Sequence, residues 1–97
     1  MSKLKTVTMG DGVERIGDDA FNGCSSLKNI NLSKSIMRIG SNAFYRCIAL
    51  ESVVLPESLI TLEDAAFKDC IYLADVTFNS KLVRIGANAL ICRSLKL

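Results

Sequence analysis

Apolar residues along this chain recur at an interval too long for one helix or one strand. Ala20-Phe21 returns as Ala43-Phe44, as Ala66-Phe67 and, weakened, as Ala89-Leu90, each step being 23 residues. Cys24, Cys47 and Cys70 keep the same interval, and so do Leu27, Leu50 and Leu73. Behind them run Ile30, Val53 and Val76, then Leu32, Leu55 and Phe78. Two more columns are Val13, Ile36, Leu59, Leu82 and Ile16, Ile39, Leu62, Ile85. Gly17, Gly40 and Gly86 repeat as well, with Glu63 the exception. So many coincident columns define a repeat protein, in which each unit buries its apolar face only against its neighbours.

Within a unit, the segments LKNINL (27–32), LESVVL (50–55) and LADVTF (73–78) carry apolar residues at their first, fourth and sixth positions. The last two alternate with polar neighbours, which predicts a short strand with one face buried. A unit of 23 residues is short for a βαβ crossover, but it fits one winding of a coil that lays each strand parallel to the last. A second extended stretch is predicted at VERI, IMRI, LITL and LVRI, the first, second and last of which end at a glycine. Between the two lie GDDAFNGC, GSNAFYRC and EDAAFKDC. Here Asp18, Ser41 or Asp64 could cap one short helical turn, with Phe and the Cys three residues later on one face. The stacked Phe21, Phe44 and Phe67 then become the spine of the core.

The organisation follows as a single repeat domain over 1–97. Leu4, Val7 and Met9 stand 23 residues before Leu27, Ile30 and Leu32, so 1–10 is the tail of a unit. Full repeats run over about 11–33, 34–56 and 57–79, and 80–97 is a degenerate last copy. Its Cys92 falls one residue short of the period, and Lys96 stands where Leu73 stood one unit earlier. No polar cap is evident at either end, and Leu90, Ile91, Leu95 and Leu97 crowd the last segment. The expectation is a fragment of a longer array or a homo-oligomer that covers its ends by self-association, with the C-terminal dozen residues the least stable part or held by a second copy.

The pattern L-x-x-I-x-L … I-G-x-x-A-F-x-x-C-x-x-L at period 23 resembles the BspA-like class of leucine-rich repeats over roughly residues 4–92. The asparagine ladder of ordinary leucine-rich repeats is absent, since Ser35-Ile36-Met37 and Ser58-Leu59-Ile60 stand in its place. The resemblance implies an α/β solenoid: a right-handed coil with a short parallel β-sheet and short helical turns or 3₁₀ segments opposite. It implies protein–protein or adhesive contacts, a secreted or cell-surface setting, and no catalytic residues.

Composition narrows the chemistry. Of 97 residues, 49% are hydrophobic and 23% charged, which excludes intrinsic disorder. No apolar run reaches the ~18–20 residues of a membrane-spanning helix. A net charge of +2, scattered along the chain, does not mark a nucleic-acid binder. Histidine is absent, which removes the commonest general base and metal ligand. The cysteines stand 23, 23 and 22 residues apart, with none of the paired spacings of a zinc site. Stacked positions with parallel side chains also suit a disulfide poorly. Cys24, Cys47 and Cys70 are therefore expected as buried small plugs and Cys92 as the reactive thiol. No cofactor, metal or enzyme chemistry is expected. The first residues, Met1 to Lys5, enter the repeat without the apolar core of a signal peptide, and unpaired thiols favour a reducing compartment, against the family tendency.

Function is then expected on a surface. If Leu27, Ile30 and Leu32 face inward, Asn29 and Asn31 face outward, beside Thr6 and Thr8 on one side and Ser52, Val54, Asp75 and Thr77 on the other. Lys28, Glu51 and Ala74 form a neighbouring column. Lys28, Asn29, Asn31, Glu51, Ser52, Val54, Asp75 and Thr77 are the candidate face for a protein partner, with a solvated face that binds nothing as the alternative. A second candidate is an apolar stripe of Met37, Ile60 and Val83, which follow the Glu14 position, unless that column turns inward or is covered. Beside it run Arg15, Arg38, Thr61 and Arg84, a row suited to pairing with Glu14, Asp18 or Asp64. Two functions remain open: an interaction module, and a structural spacer or self-assembling scaffold with no ligand.

Overall fold

The period of the apolar columns is also the period of the strands. A computed structural model describes residues 3–77 and 84–90. Among them are eight strands: β1 (Thr6–Thr8), β2 (Arg15–Ile16), β3 (Asn29–Asn31), β4 (Arg38–Ile39), β5 (Ser52–Val54), β6 (Thr61–Leu62), β7 (Asp75–Thr77) and β8 (Arg84–Ile85). All pairing is parallel, and each residue faces its counterpart 23 positions on: Ile16 opposite Ile39, Ile39 opposite Leu62, Val53 opposite Val76. Equivalent residues of successive coils thus stack in columns, one strand spacing of about 4.8 Å apart.

The two rows of strands differ. β2, β4, β6 and β8 make one continuous four-stranded sheet. The other row, predicted as one sheet, is in two pieces, β1–β3 and β5–β7. On the paired sides Met9 N–H donates to the Asn31 carbonyl and Leu55 N–H to the Thr77 carbonyl, both at 3.0 Å. No ladder bond joins β3 to β5, so on this one side the coils are in contact without strand pairing, while bonds join them along the other row and the turns.

The predicted helical turns are not formed: among the described residues there is no helix. The reason is backbone conformation. Asp19, Asn42, Ala65 and Asn88 hold φ of 60°, 58°, 57° and 60°, and Gly23, Arg46 and Asp69 hold 76°, 59° and 60°. A left-handed residue every fourth position interrupts any right-handed helix. It produces instead a run of tight turns in which alternate amides point different ways. Ala20, Asn22 and Cys24 donate three residues back, to Gly17, Asp19 and Phe21. Asp19, Phe21 and Gly23 donate to the next coil, to Ser41, Ala43 and Tyr45, at 2.9, 2.8 and 2.8 Å. The second coil repeats the scheme: Asn42, Phe44 and Arg46 donate to Asp64, Ala66 and Lys68 at 3.1, 2.7 and 2.9 Å. The cap role given to Asp18 and Asp64 is corrected too. Their Oδ1 atoms accept the N–H of Ser41 and Ala87 in the following coil, at 2.8 and 2.9 Å.

The core is the set of stacked columns. Leu27, Leu50 and Leu73, Ile36 and Leu59, Ile39 and Leu62, and the three cysteines are all fully buried. Phe21 stacks on Phe44 with ring centroids 5.3 Å apart, and Phe44 on Phe67 at 5.0 Å, the planes within 8° and 7° of parallel. Such offset pairs add about 0.5–1.5 kcal/mol each beyond the area they bury. Truncating Phe44 to Ala, which would empty the centre of the stack, corresponds to a loss of ~3–5 kcal/mol. Of the predicted core columns, Val13 and Ile85 are exposed, while Phe78 and Leu82 lie outside the described residues.

The glycine column marks a close approach between coils at Gly40 and Gly86. A Cβ on Gly40 would stand 2.6 Å from the Asp18 nitrogen and 2.7 Å from the Gly17 carbonyl carbon, and one on Gly86 would collide with Asp64 in the same way. Where the underlying residue is Ser41 rather than Asp, the position above is Glu63, and a side chain is accommodated. Gly17, by contrast, has nothing within 4 Å of its virtual Cβ. Gly40→Ala is therefore expected to destabilise the protein by about 1–3 kcal/mol in denaturant melts. Gly17→Ala should be neutral or stabilising by up to about 1 kcal/mol. Equal losses from the two substitutions would contradict the close approach at Gly40.

Candidate interaction surface and cysteine column

The candidate face is carried by the first row of strands, because alternation along three residues turns the central side chain in and its neighbours out. Val53 is 2% exposed, while Ser52 and Val54 on either side of it are exposed. Asn29 and Asn31 flank Ile30 in the same way, as Asp75 and Thr77 flank Val76. Lys28 and Glu51, just before β3 and β5, are exposed as well. All eight residues thus lie on the solvent side of this row, with Ser52 in register with Asp75 and Val54 with Thr77. The row is divided by the break between β3 and β5, so Lys28, Asn29 and Asn31 belong to one piece and the other five to the second. On the first piece the Asn31 amide donates to Thr8 Oγ1 at 3.4 Å. Val54 is 65% exposed, the most exposed of the large apolar side chains among the described residues.

The apolar stripe lies elsewhere, immediately before β4 and β6. Met37 and Ile60 keep their backbones in the ladder, with Met37 N–H on the Glu14 carbonyl at 2.7 Å and Ile60 N–H on that of Met37 at 3.0 Å. Their side chains remain 43% and 44% exposed. Val83 lies outside the described residues.

In the basic row, Arg38 is held from both sides. Its Nη2 meets Asp18 Oδ1 at 3.3 Å and its Nε meets Glu63 Oε2 at 2.9 Å. Asp18 was an anticipated partner; Glu63 was not, and it reaches Arg38 because it replaces the column's glycine with a side chain. The Glu63 bond, then desolvation in the opposite sense and the charges of Glu63 and Asp18, leave the guanidinium more basic than usual. With the Arg38 side chain 39% exposed, the network contributes little to stability, of order 1 kcal/mol or less.

The cysteines are more than small plugs. Cys24, Cys47 and Cys70 are free and fully buried. The Cys47 thiol donates to the Phe21 carbonyl of the preceding coil at 3.3 Å, and Cys70 to that of Phe44 at 3.0 Å. Those same carbonyls accept the amides of Cys24 and Cys47 in their own coils, at 3.2 and 3.3 Å. The thiol therefore satisfies the second lone pair of a buried carbonyl, which alanine would leave open and leucine would not fit. Cys92 lies outside the described residues. Among the described residues no group of three or more His, Cys, Asp or Glu is placed to hold a metal ion, and no helix is long and apolar enough to cross a membrane.

A parallel solenoid with a 23-residue register, built on stacked leucine, phenylalanine and cysteine columns, is a leucine-rich-repeat coil. The chain belongs to the BspA-type leucine-rich-repeat family, whose model, described as a BspA type leucine rich repeat region, matches residues 1–97 in 6 copies. It is similar to the crystal structure of a leucine-rich repeat protein from Bacteroides ovatus, with 36% identity and a TM-score of 0.93 over 98% of this chain and 24% of that one. It is also similar to a leucine rich cell surface protein from Faecalibacterium prausnitzii, at 25% identity and a TM-score of 0.55, covering 96% of this chain and 38% of that one. The chain thus spans about a quarter and two fifths of the lengths of these relatives. No curated protein matches it.

Burial pushes the Cys47 thiol up from 9.0 to about 12, with neighbouring Cys24 adding to the rise and a hydrogen bond to Cys24 opposing it. Because the folded value lies above the unfolded one, the stabilisation is complete below pH 9 and is lost as pH rises from 9 towards 12. The wild type should therefore lose more stability across that range than Cys47→Ala does, measured by melts at each pH. At pH 8 iodoacetamide should label Cys47 only as fast as the protein opens; prompt labelling of the folded chain would contradict the buried, hydrogen-bonded thiol.

Proposed function

We propose that the chain is a non-catalytic interaction module, one leucine-rich-repeat stretch over 1–97, and that it presents the face of β1, β3, β5 and β7 to a protein partner. The observation that carries this reading is Val54. It is a 65%-exposed apolar side chain in a field of short polar ones, with Asn31 and Thr77 in the adjoining coils. An exposed apolar side chain surrounded by small hydrogen-bonding groups has the arrangement of an interface, an apolar centre within a polar rim. The parallel backbone beneath holds these side chains at a fixed spacing, which lowers the entropic cost of binding. Glu51 and Asp75 make the β5–β7 piece acidic, and Lys28 lies on the other piece, so a partner with basic groups opposite Glu51 and Asp75 fits best. The likeness to a protein described as a cell surface protein supports a surface-associated role.

The test is the triple variant Asn31→Lys, Val54→Lys, Thr77→Lys. These side chains are exposed, so the melt should stay close to that of the wild type. Binding to candidate host-cell or matrix proteins should fall at least tenfold, the loss expected when a central anchor worth about 1.4 kcal/mol or more is removed. Undiminished binding by a folded triple variant would exclude this face. A failure of the wild type to bind any candidate would favour the spacer reading.

A further inference from the structure

On the turn side, away from both rows of strands, the first and second coils do not match in size. Asn22, Gly23 and Ser25 of the first coil lie under Tyr45, Arg46 and Ile48 of the second, and the step between them leaves a cleft of about 360 Å³. The two coils are fixed to each other at this point, because Phe21 N–H donates to the Ala43 carbonyl and Gly23 N–H to that of Tyr45, both at 2.8 Å, and Arg46 N–H ties the second coil to Lys68 of the third at 2.9 Å. The cleft is therefore a formed feature and not a gap between loose loops.

Arg46 is the anomaly in it. The equivalent positions are Gly23 and Asp69, residue types that tolerate a left-handed backbone, whereas Arg46 holds φ 59° with a full side chain. The backbone conformation recurs in each coil and is fixed by the bonds between coils, so what is particular to this coil is the arginine side chain. Arg46 is exposed and forms no ion pair among the described residues, unlike Arg38. Among the described residues no ion pair accounts for an arginine at this position. Its surroundings are half apolar and half polar. Tyr45 and Ile48 supply ring and aliphatic surface, Ser25 a hydroxyl, and Asn22 an amide that Asp19 Oδ1 holds in place at 2.8 Å.

We propose that this cleft is a binding site for a small ligand carrying a carboxylate on a flat, apolar body. The guanidinium fork matches a carboxylate in two parallel hydrogen bonds, which a lysine point charge does not reproduce. Tyr45 and Ile48 cover the flat body, and the second amide hydrogen of Asn22 and the Ser25 hydroxyl are available to a polar substituent. This site is separate from the strand face and does not depend on its role.

Benzoate is the probe, with acetate and benzyl alcohol as its two halves, titrated into the ¹⁵N-labelled chain and followed by amide shifts. Benzoate should give saturable shifts confined to 22–25 and 45–48, with millimolar affinity that weakens as salt is added. Acetate and benzyl alcohol should each bind several-fold more weakly. Arg46→Gly should abolish the benzoate response and at the same time raise the melting temperature, since glycine adopts this backbone without strain. That opposite movement of binding and stability is not expected of a merely structural residue. Absence of saturable benzoate shifts, equal binding of benzyl alcohol, or an unchanged response in Arg46→Gly would each overturn the proposal.

Discussion

Everything in this molecule depends on the hydrogen bond that one coil gives to the next. A single coil of 23 residues has three apolar sides and almost no internal backbone bonding beyond tight turns, so it has no independent fold. Stacking at a constant register changes this in one step. The two rows of strands and the turn run place Ile39 on Ile16, Phe44 on Phe21 and Leu62 on Ile39, while alternate amides of the turns tie the coils together. Burial and backbone satisfaction are thus the same event, which is why the repeat tolerates so little variation in its period.

The side chains that repeat are those that serve this stacking. Phenylalanine fills the coil and meets its own kind in an offset stack; cysteine is small enough for the adjoining column and supplies a donor for the phenylalanine carbonyl below it. Aspartate in the column of Asp18 and Asp64 reaches an amide in the following coil, and at Gly40 and Gly86 the backbones of successive coils come too close for a side chain. Glu63, the one non-glycine of that column, binds Arg38. The irregularity at Glu63 thus has a contact of its own.

Most of this was legible in the sequence. The columns gave the parallel register, both sets of strands, the phenylalanine spine and the burial of Cys24, Cys47 and Cys70, because burial of like on like leaves a direct trace in composition. The turns did not follow. Phe21 and Cys24, three apart, satisfy a helical face, and a run of left-handed turns delivers them to the same side. The discriminating signal was present in Asp19, Asn42 and Asn88, residue types that tolerate positive φ, and in Gly23 and Asp69. Ala65 and Arg46 obscure it. The missing pairing between β3 and β5 is a backbone event without a residue to mark it. Asn29, Asn31, Ser52, Val54, Asp75 and Thr77 were assigned outward positions by alternation, and Lys28 and Glu51 to a neighbouring column; all eight are exposed. The cleft at Arg46 was invisible because it arises from a difference in size between neighbouring coils at 22 and 45, 23 and 46, and 25 and 48, not from any motif.

The strand face and the turn-side cleft rest on the same scaffold for different reasons: the first on alternation, the second on an interruption of the column pattern. Both presuppose cross-coil amide bonds in the turns, and these can be observed directly. Scalar couplings transmitted through hydrogen bonds in the ¹³C,¹⁵N-labelled chain should connect the amide of Phe21 to the carbonyl of Ala43 and that of Phe44 to Ala66. Couplings from Phe21 and Phe44 to carbonyls four residues earlier in their own coils would instead show a helical turn, and would contradict a fold held together by bonds between coils.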